Sequence, residues 1–486
     1  MQNIFSLQNS WRTQPGWRLT GLAPRRIQPL ILNWIDEPEI VVIRGARQVG
    51  KTTLVQQIIY DLIHKAKVHP ENIFYFSFDD RDLQNLILQD PKSVFNFIRQ
   101  QSKSVEKDRL FIFFDEIQKA PLILEILKMY YDSNKNYKFI ITGSLSLELS
   151  KGVSESLLGR VVNFHLHSLT FQEILTLKGS ATLSKFLPEA GNEVEGFLQN
   201  FAGYKHNRQN IDYDYDYDYE RLKKVSSELV FYKDDIVIQL NEYLLRGGYP
   251  GAVKKENLKA EMILRDIKQV YIEKDIIATL KIEKHLAFSG LLELLAYQIG
   301  SLVNLEELCG NLKVSFPTLK NFLNILEKTY VIELLQPYFE NQRKAVRKNR
   351  KVYFLDTGFR NACIGLTNFP SNPNEIGHLV ENMTFNILKK VNSYLFGESI
   401  RFFFYRTYDG AEIDFVLKRG NEIFPIEVKY QNFVKEKVPT VMKNFMKARG
   451  ERCQKGLVIT KDFIGKKCFD FGEIYFIPLS LLALGI

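Results

Sequence analysis

Residues 44–53 read Arg-Gly-Ala-Arg-Gln-Val-Gly-Lys-Thr-Thr. They contain the phosphate-loop pattern GxxxxGK[ST], which begins at Gly45 and ends at Thr52. The pattern needs a buried strand before it, predicted at 39–43, and a helix after it, predicted at 53–63 from apolar residues at helical spacing. A glycine turn before an ordinary helix is the alternative, but such a turn does not require the whole pattern. The stretch therefore predicts a binding site for a nucleoside triphosphate.

Each residue type of the pattern has a role in holding phosphate. Glycines let the backbone curl so that successive N–H groups face an anion, and the N-terminus of the next helix adds partial positive charge. Lys51 would reach the β- and γ-phosphates, and the Thr52 hydroxyl would ligate Mg²⁺. We therefore expect ATP and Mg²⁺ as cofactors. The predicted nucleotide contacts in this stretch are Gly45, Ala46, Arg47, Gln48, Val49, Gly50, Lys51, Thr52 and Thr53.

Two carboxylates follow a later predicted strand. Residues 109–116 read Arg-Leu-Phe-Ile-Phe-Phe-Asp-Glu. A buried parallel strand is continuously apolar and delivers polar residues at its C-terminal end, where open α/β sheets bind ligands. In this Walker B form Asp115 would hold Mg²⁺ and Glu116 would polarise the attacking water. Alone, an acidic strand end is more often a helix cap or a solvated turn, but the phosphate loop favours the catalytic role.

Two further elements could complete the same site. Residues 137–144 form another predicted buried strand with small polar residues at its end, so the hydroxyl of Thr142 or of Ser144 could sense the γ-phosphate. Arg160 precedes the predicted strand 161–166 and is a candidate arginine finger for its own or a neighbouring nucleotide. The alternatives are a simple strand-to-turn exit and a surface arginine, and the sequence does not decide between them.

Length and composition limit the class of protein. At 486 residues the chain is too long for one ordinary core, so roughly two to four domains are expected. The hydrophobic fraction of 45% is typical of a globular protein, and the net charge of +9 suits a polyanionic partner without requiring one. The four cysteines stand far apart, which argues against a zinc site and a disulfide framework. Without an unbroken membrane-spanning stretch, we expect no membrane partner and a cytoplasmic location.

Several motifs along the chain resemble those of one protein family. They are the phosphate loop, Phe-Asp-Glu-Ile-Gln-Lys-Ala-Pro at 114–121, Ile-Thr-Gly-Ser at 141–144, Leu-Leu-Gly-Arg at 157–160, Leu-Thr-Phe-Gln-Glu-Ile at 169–174, Tyr-Leu-Leu-Arg-Gly-Gly-Tyr-Pro-Gly at 243–251 and Asp-Thr-Gly at 356–358. Together they resemble the bacterial and archaeal AAA+-type ATPases that carry a C-terminal DUF4143 domain. The resemblance implies an ATPase and an architecture more than a cellular role.

The predicted fold is α/β, with an AAA+-like P-loop parallel sheet, a helical and winged-helix connector, and a restriction-endonuclease-like α/β domain. The predicted divisions are a leading segment 1–38, an ATPase core 39–180, an insertion 181–238, a helical and winged-helix region 239–345, and a C-terminal domain 346–486. The Asp-Tyr repeat in the insertion has too few aliphatic residues to build a core. We therefore expect the insertion to be a weakly ordered surface loop.

The connector has the rhythm of a winged helix-turn-helix. A short helix from about 304, a turn, a helix from about 315 and a strand at 331–335 follow one another. Lys320 and Asn321 would face a DNA groove if the second helix were a recognition helix. Alternatively the unit only packs or transmits motion, and the basic run after it is a solvated turn rather than a phosphate contact.

The C-terminal segment resembles the PD-(D/E)xK nuclease core. Glu381 stands on a predicted helix, Asp414 in a predicted strand, and Glu427 and Lys429 in the next strand. Asp414 and Glu427 could ligate one Mg²⁺, while Lys429 would stabilise charge at a phosphate. The alternative is a retained fold without catalysis.

Two functions remain open from the sequence. The first is an ATPase whose nucleotide state controls a nuclease-like domain acting on DNA or RNA. The second is a nucleotide-switched regulatory or scaffolding ATPase whose C-terminal domain binds a partner without cleaving it. An arginine finger acting on a neighbour would require a homo-oligomer.

Overall fold

A computed structural model of the chain describes residues 1–14, 16–102, 109–133, 136–143, 157, 159–179, 181–203, 215–272, 284–340 and 349–486. The chain divides into two compact units, Met1–His167 and Ser168–Ile486. Within these ranges, no helix has both the length and the apolar character needed to cross a membrane.

The first unit is built on a parallel five-stranded sheet. Its strands are β1 (Ile40–Arg44), β2 (Ile73–Ser77), β3 (Leu110–Asp115), β4 (Tyr137–Gly143) and β5 (Val161–His165). They lie in the order β2-β3-β4-β1-β5, and every neighbouring pair is parallel. Strands covered on both faces are buried along their whole length, as β3 and β4 are, and both are mainly apolar. The predicted α/β sheet is confirmed. Its parallel pairing brings the C-terminal ends of β1, β3 and β4 together at one end of the sheet.

Helices cover both faces of this sheet. They are Gln2–Gln8, Gln28–Leu32, Lys51–His64, Arg81–Gln89, Ser93–Gln101 and Pro121–Ser133, with short 3-10 turns at Ser10–Arg12, Pro70–Asn72 and Ile117–Lys119. The core on one face is rich in phenylalanine, and there the rings of Phe95 and Tyr130 stack with centroids 3.7 Å apart. Side chains of the sheet and of these helices therefore share one packed core.

The leading segment covers the outer edge of β2, a role that the sequence did not predict. The Asn9 side chain bonds to both the N–H and the C=O of Tyr75, at 2.9 and 2.8 Å. Gln8 does the same at Ser77, and the Arg12 guanidinium donates to the Ile73 carbonyl at 2.9 Å. An edge strand otherwise exposes these groups as a template for aggregation. Here side chains of the leading segment form the hydrogen bonds that a further strand would form with β2.

The second unit combines helices with two sheets. Its helices within the described ranges are Phe171–Lys178, Ala181–Phe201, Tyr215–Leu229, Lys233–Arg246, Pro250–Val253, Asn257–Val270, His285–Tyr297, Leu305–Leu312, Phe316–Lys328, Thr357–Ile364, Pro373–Leu395, Thr440–Lys447 and Leu479–Leu484, with 3-10 turns at Val230–Tyr232 and Gly450–Arg452. Helices Leu305–Leu312 and Phe316–Lys328 lie where the helix-turn-helix was predicted.

The sheets of the second unit are an antiparallel pair and a mixed six-stranded sheet. The pair is β6 (Ile332–Leu335) with β7 (Lys351–Phe354). The larger sheet contains β8 (Arg401–Arg406), β9 (Glu412–Arg419), β10 (Glu422–Lys429), β11 (Lys455–Thr460), β12 (Gly465–Phe469) and β13 (Gly472–Pro478). Its order is β12-β13-β11-β10-β9-β8, with β10, β11 and β13 parallel and the other pairs antiparallel.

Most of the insertion is helical rather than the weakly ordered loop that the sequence predicted; residues 204–214, with the start of the Asp-Tyr repeat, lie outside the described residues. Its described residues form helices Ala181–Phe201 and Tyr215–Leu229, which pack on each other. At the end of the first helix Lys455 donates to the Asn200 carbonyl and Arg419 to the Ala202 carbonyl, both at 3.0 Å. Cations suit the negative end of a helix dipole.

The prediction failed because it weighed the composition of the Asp-Tyr repeat above the spacing of apolar residues around it. Apolar residues recur at helical spacing on both sides of the repeat and are buried. They are Leu183, Leu187, Val194, Phe197 and Phe201 on one helix, and Leu222, Val225 and Leu229 on the other.

Asn9→Ala should lower the free energy of unfolding of the first unit by about 1–3 kcal/mol, because it leaves the buried N–H and C=O of Tyr75 without their partner. Urea denaturation followed by tryptophan fluorescence measures this unit, since Trp11, Trp17 and Trp34 are the only tryptophans in the sequence.

Asn3→Ala is the matched control, because Asn3 is exposed on the same helix as Gln8. Its denaturation midpoint should stay close to that of the wild type. Equal midpoints for the Asn9 and Asn3 variants would contradict the edge-covering role.

Candidate functional site

The phosphate loop lies between the end of β1 and the helix Lys51–His64. Gln48 and Gly50 both have left-handed backbones, with φ of 59° and 100°. Glycine adopts such angles without strain, so Gly50 can start the helix one residue before Lys51. The predicted contacts Gly45 to Thr53 therefore all lie in the loop and the first helical turn.

Neighbouring backbone packs closely around the loop. A Cβ at Gly45 would collide with the Leu166 carbonyl oxygen, and the Leu166 amide donates to the Arg44 carbonyl at 2.7 Å. Arg25, which the sequence did not single out, is 5% exposed and donates to the carbonyls of Val49 and His167 at 2.9 and 2.6 Å. A buried guanidinium thus ties the loop to the segment that follows β5.

Lys51 lies inside the loop rather than in solvent. Its ammonium group donates to the carbonyls of Gly45 and Ala46, at 3.2 and 3.0 Å, and is 3.7 Å from Glu116 Oε1. Its side chain is 3% exposed. The ammonium group is therefore held inside the loop, where a bound phosphate is predicted.

Asp115 is the centre of the site. Its carboxylate is almost fully buried and accepts hydrogen bonds from three hydroxyls: Thr52 and Tyr75, at 2.7 and 2.8 Å, and Thr142. The hydroxyls come from the phosphate-loop helix, from β2 and from β4. One carboxylate therefore connects three separate elements of the unit.

The electrostatics of this carboxylate suit a cation. Burial raises the pKa of Asp115, the hydroxyls of Thr142 and Thr52 oppose that rise, and the charge of Glu116 adds to it. Burial and the same carboxylate raise the pKa of Tyr75. A hydroxyl and a carboxylate side by side are the oxygen ligands that Mg²⁺ prefers, so Thr52 and Asp115 fit the predicted metal.

Glu116 takes a strained position beside Asp115. Its φ of 54° is left-handed, which is uncommon for a residue other than glycine. Its amide donates to the Thr142 hydroxyl at 3.1 Å, and the Gln118 amide group donates to its carboxylate. Backbone strain of this kind is typical of functional sites, where the surrounding contacts enforce it.

Arg160 and Ser144 are not added to this site. Ser144 lies outside the described residues. Arg160 immediately precedes β5, whose first residue pairs with Ile40 at the start of β1, so it is at the sheet edge opposite the phosphate loop. There it forms a two-point ion pair with Asp132, at 2.9 and 3.1 Å. A role for Arg160 in its own chain's site is therefore wrong, and a role in a neighbour's site stays a prediction.

The second predicted site lies where β9 and β10 separate. The ladder ends at the pair Ile426 and Phe415. Directly beyond it the Val428 amide donates to the Asp414 carboxylate at 2.7 Å, and the Asp414 amide donates to Glu427 at 3.4 Å. Beyond the ladder, the two carboxylates therefore accept the hydrogen bonds of backbone amides in place of carbonyl groups. They lie on neighbouring strands, as predicted. Lys429 pairs with Glu427 at 2.6 Å.

Glu381 joins these two carboxylates, together with a lysine that the sequence did not predict. Burial and Glu381 raise the pKa of Asp414 to about 7, and burial and Asp414 raise the pKa of Glu427 to about 7. Lys351 lies 3.5 Å from Glu381 and 2.9 Å from Glu412. Burial lowers the pKa of Lys351, but the carboxylates around it more than reverse this effect.

Across the described ranges, no group of three or more His, Cys, Asp or Glu side chains is arranged to hold a metal ion. Each predicted Mg²⁺ site would use two protein ligands, Thr52 with Asp115 and Asp414 with Glu427. Mg²⁺ accepts so few because it retains several waters.

Three residues of these sites, Tyr75, Arg25 and Lys351, were not predicted from the sequence, which contains little that marks them as buried. Tyr75 is the one tyrosine in an otherwise Ile-Phe-Ser strand, and the alternation of β2 puts it on the same face as Ser77, the register partner of Asp115. Arg25 and Lys351 stand in basic stretches that composition assigns to the surface. Nothing local marked either of them as buried.

Three family models match the chain. Residues 37–175 match an AAA domain, residues 237–369 match the domain of unknown function DUF8612, and residues 376–482 match the domain of unknown function DUF4143. The first match contains the phosphate loop and the Asp115 site, and the third contains Glu381, Asp414 and Glu427.

Two similar proteins are described only as uncharacterized. A Methanocaldococcus jannaschii protein is 26% identical over 67% of this chain, which spans 63% of that relative's length. A Haemophilus influenzae protein is 22% identical over 82% of this chain and 85% of its own. The solved structure of the Aeropyrum pernix ORC1 protein in complex with DNA is 12% identical, with a TM-score of 0.29 over 73% of this chain and 95% of that one. The chain therefore contains an AAA domain, followed by regions matching families described only as of unknown function.

Proposed function

We propose that this chain is a Mg²⁺-dependent ATPase whose nucleotide state controls a nuclease-like site acting on nucleic acid. The observation that carries the ATPase part is the buried Asp115 carboxylate, which receives hydroxyls from the phosphate-loop helix, β2 and β4. The AAA match over 37–175 supports the same conclusion.

The residues of the loop suggest how ATP would be bound and hydrolysed. Lys51 would exchange its bonds to the loop carbonyls for bonds to phosphate oxygens. Thr52 and Asp115 would hold Mg²⁺, which would neutralise charge on the β- and γ-phosphates. Glu116 would orient and deprotonate the attacking water once its contact with Lys51 is released.

A short covalent connection supports coupling to the second unit. Leu166 still belongs to the first unit and bonds to Arg44, next to the phosphate loop. Leu169 belongs to the second unit, so only two residues, His167 and Ser168, separate the two anchored positions. A displacement of the loop that moves Leu166 would therefore reach Leu169 along the backbone.

Leu169 is fixed by a buried polar cluster. Its amide donates to the Gly248 carbonyl at 2.8 Å, and its carbonyl accepts from Tyr243 at 2.9 Å and Lys390 at 3.0 Å. The Gly248 amide in turn donates to buried Asp356 at 2.8 Å. The Gly-Gly and Asp-Thr-Gly motifs thus meet in this polar cluster, which we call the clamp around Gly248. A Cβ at Gly248 would collide with Leu169. Such a tightly packed point transmits displacement rather than absorbing it.

Nucleic acid is the proposed substrate class because of two features of the second unit. Helix Phe316–Lys328 exposes Lys320 and Asn321, and the Lys320 ammonium lies 4.5 Å from the Phe316 ring centroid. With β6 and β7 beside it, this helix pair suits a winged helix-turn-helix. The helix, three-stranded meander, helix and parallel strand from 373 to 460 suit a PD-(D/E)xK-like fold.

The second candidate is a nucleotide-controlled switch that binds a partner without cleaving it. The ion pairs of Lys351 and Lys429 favour it, because both lysines neutralise carboxylates that would otherwise attract a metal.

Glu116→Gln should lower kcat for ATP hydrolysis by about 100-fold or more and leave ATP binding in place, since it removes the base but not the phosphate cradle. Phosphate release measures the rate, and a labelled ATP analogue measures binding. Glu125→Gln is the matched control, because Glu125 is exposed on the helix Pro121–Ser133. Hydrolysis by the Glu116 variant at the control's rate would refute the assigned base.

Asp414→Asn should abolish Mg²⁺-dependent cleavage of DNA or RNA, because it removes a proposed metal ligand and keeps the side chain's shape. Asp409→Asn is the control, since Asp409 is exposed in the turn between β8 and β9. Labelled single- and double-stranded substrates, with and without ATP, measure the activity. If the wild type cleaves none of them while hydrolysing ATP, the switch is the better account.

A further inference from the structure

Lys351 is the first residue of β7, outside the region that supplies the carboxylates. It belongs to the match over 237–369, whereas Glu381, Glu412 and Asp414 belong to the match over 376–482. Its side chain is 3% exposed. A buried lysine needs charged partners, and within the described residues the ion pairs of Lys351 are with Glu381 and Glu412, both from the neighbouring region.

The backbone around Lys351 fixes where its ammonium group goes. Lys351 pairs with Leu335 in β6 and bridges to Leu302, so it is held from both sides. From there its Nζ lies 2.9 Å from Glu412 Oε2 and 3.5 Å from Glu381 Oε1. The phenol of Tyr353, two residues along the same strand, donates to the same Glu381 oxygen at 2.5 Å.

Glu381 has little room for a second cation while these contacts persist. A Cβ at Gly300 would lie only 3.1 Å from its carboxylate oxygens, so backbone closes one side of the group. Tyr353 and Lys351 occupy another side. One oxygen of the Glu381 carboxylate is therefore already engaged. The Lys351 ammonium group also interacts electrostatically with Asp414, so its charge reaches the pair Asp414 and Glu427.

We propose that Lys351 is an internal cation that blocks the carboxylate site, so that a divalent cation binds Asp414 and Glu427 only after Lys351 has withdrawn. An ammonium group and a divalent cation repel each other strongly in a poorly hydrated site, so the two occupants exclude each other. This inference rests on the proposed nuclease-like site and adds its control.

The position of Lys351 in the chain suggests how its withdrawal would be controlled. β6, its partner strand, packs against the helix Phe316–Lys328 that exposes Lys320 and Asn321. A ligand pressing on that helix would act on the β6–β7 pair, and so on the lysine. The metal site would then fill when nucleic acid occupies the neighbouring region.

Calorimetric titration with Mn²⁺, without nucleotide or nucleic acid, tests the block directly. Lys351→Met should bind Mn²⁺ at least about tenfold more tightly than the wild type, and adding Asp414→Asn should remove the gain. Lys351→Arg, which keeps the charge, should match the wild type. Lys447→Met is the control, since Lys447 is exposed on the helix Thr440–Lys447. Equal or weaker Mn²⁺ binding by Lys351→Met would overturn the proposal.

A second measurement uses the unchanged protein, in case the buried substitution prevents folding. Reductive methylation followed by mass spectrometry should modify Lys351 slowly in EDTA and several-fold faster at saturating Mn²⁺, because the metal displaces the ammonium group. Unchanged reactivity of Lys351 at saturating metal would overturn the proposal. Neither readout involves cleavage, so metal binding without nuclease activity would refute the proposed nuclease and leave the block standing.

Discussion

The buried carboxylate of Asp115 is the constraint on which the first unit depends. A carboxylate that loses its water is costly unless hydrogen bonds or a cation replace it. Here the hydroxyls of Thr52, Tyr75 and Thr142 do so, and each comes from a different element. Those elements can satisfy the carboxylate only if β2, β3 and β4 keep their register and the phosphate-loop helix starts at Lys51. Chemistry and fold are therefore fixed by the same contacts.

Residues 166–169 carry the backbone from the first unit into the second. Backbone groups of residues 166–169 are bonded on one side to the loop strand and on the other to the clamp around Gly248. The clamp joins motifs that are more than 100 residues apart in the chain, since Gly248 bonds to Asp356. Glycines are required there because a side chain would collide with Leu169 or Asp356. A second polar cluster, around Lys351, connects the next two regions in the same way.

The sequence predicted the parts of the molecule that depend on local pattern. The phosphate loop, the β3 carboxylates and Glu427 each follow an apolar run, and Asp414 interrupts one, so the apolar pattern locates them. It did not predict Tyr75 or Lys351, because their partners are brought near only by strand pairing and by packing between distant segments. The insertion was misjudged since composition outweighed helical spacing. Arg160 was misplaced because a motif gives no information on which edge of the sheet a residue occupies.

Hydrogen–deuterium exchange of the full chain tests the central claim, that nucleotide at the phosphate loop changes the second unit. Peptides that contain the amide of Leu169 should change their deuterium uptake when ATP and Mg²⁺ are added to the wild type. The same peptides should not respond in Lys51→Ala, which lacks the phosphate contact. A response confined to Met1–His167 in the wild type would contradict the coupling and leave an ATPase without a mechanical link to the rest of its chain.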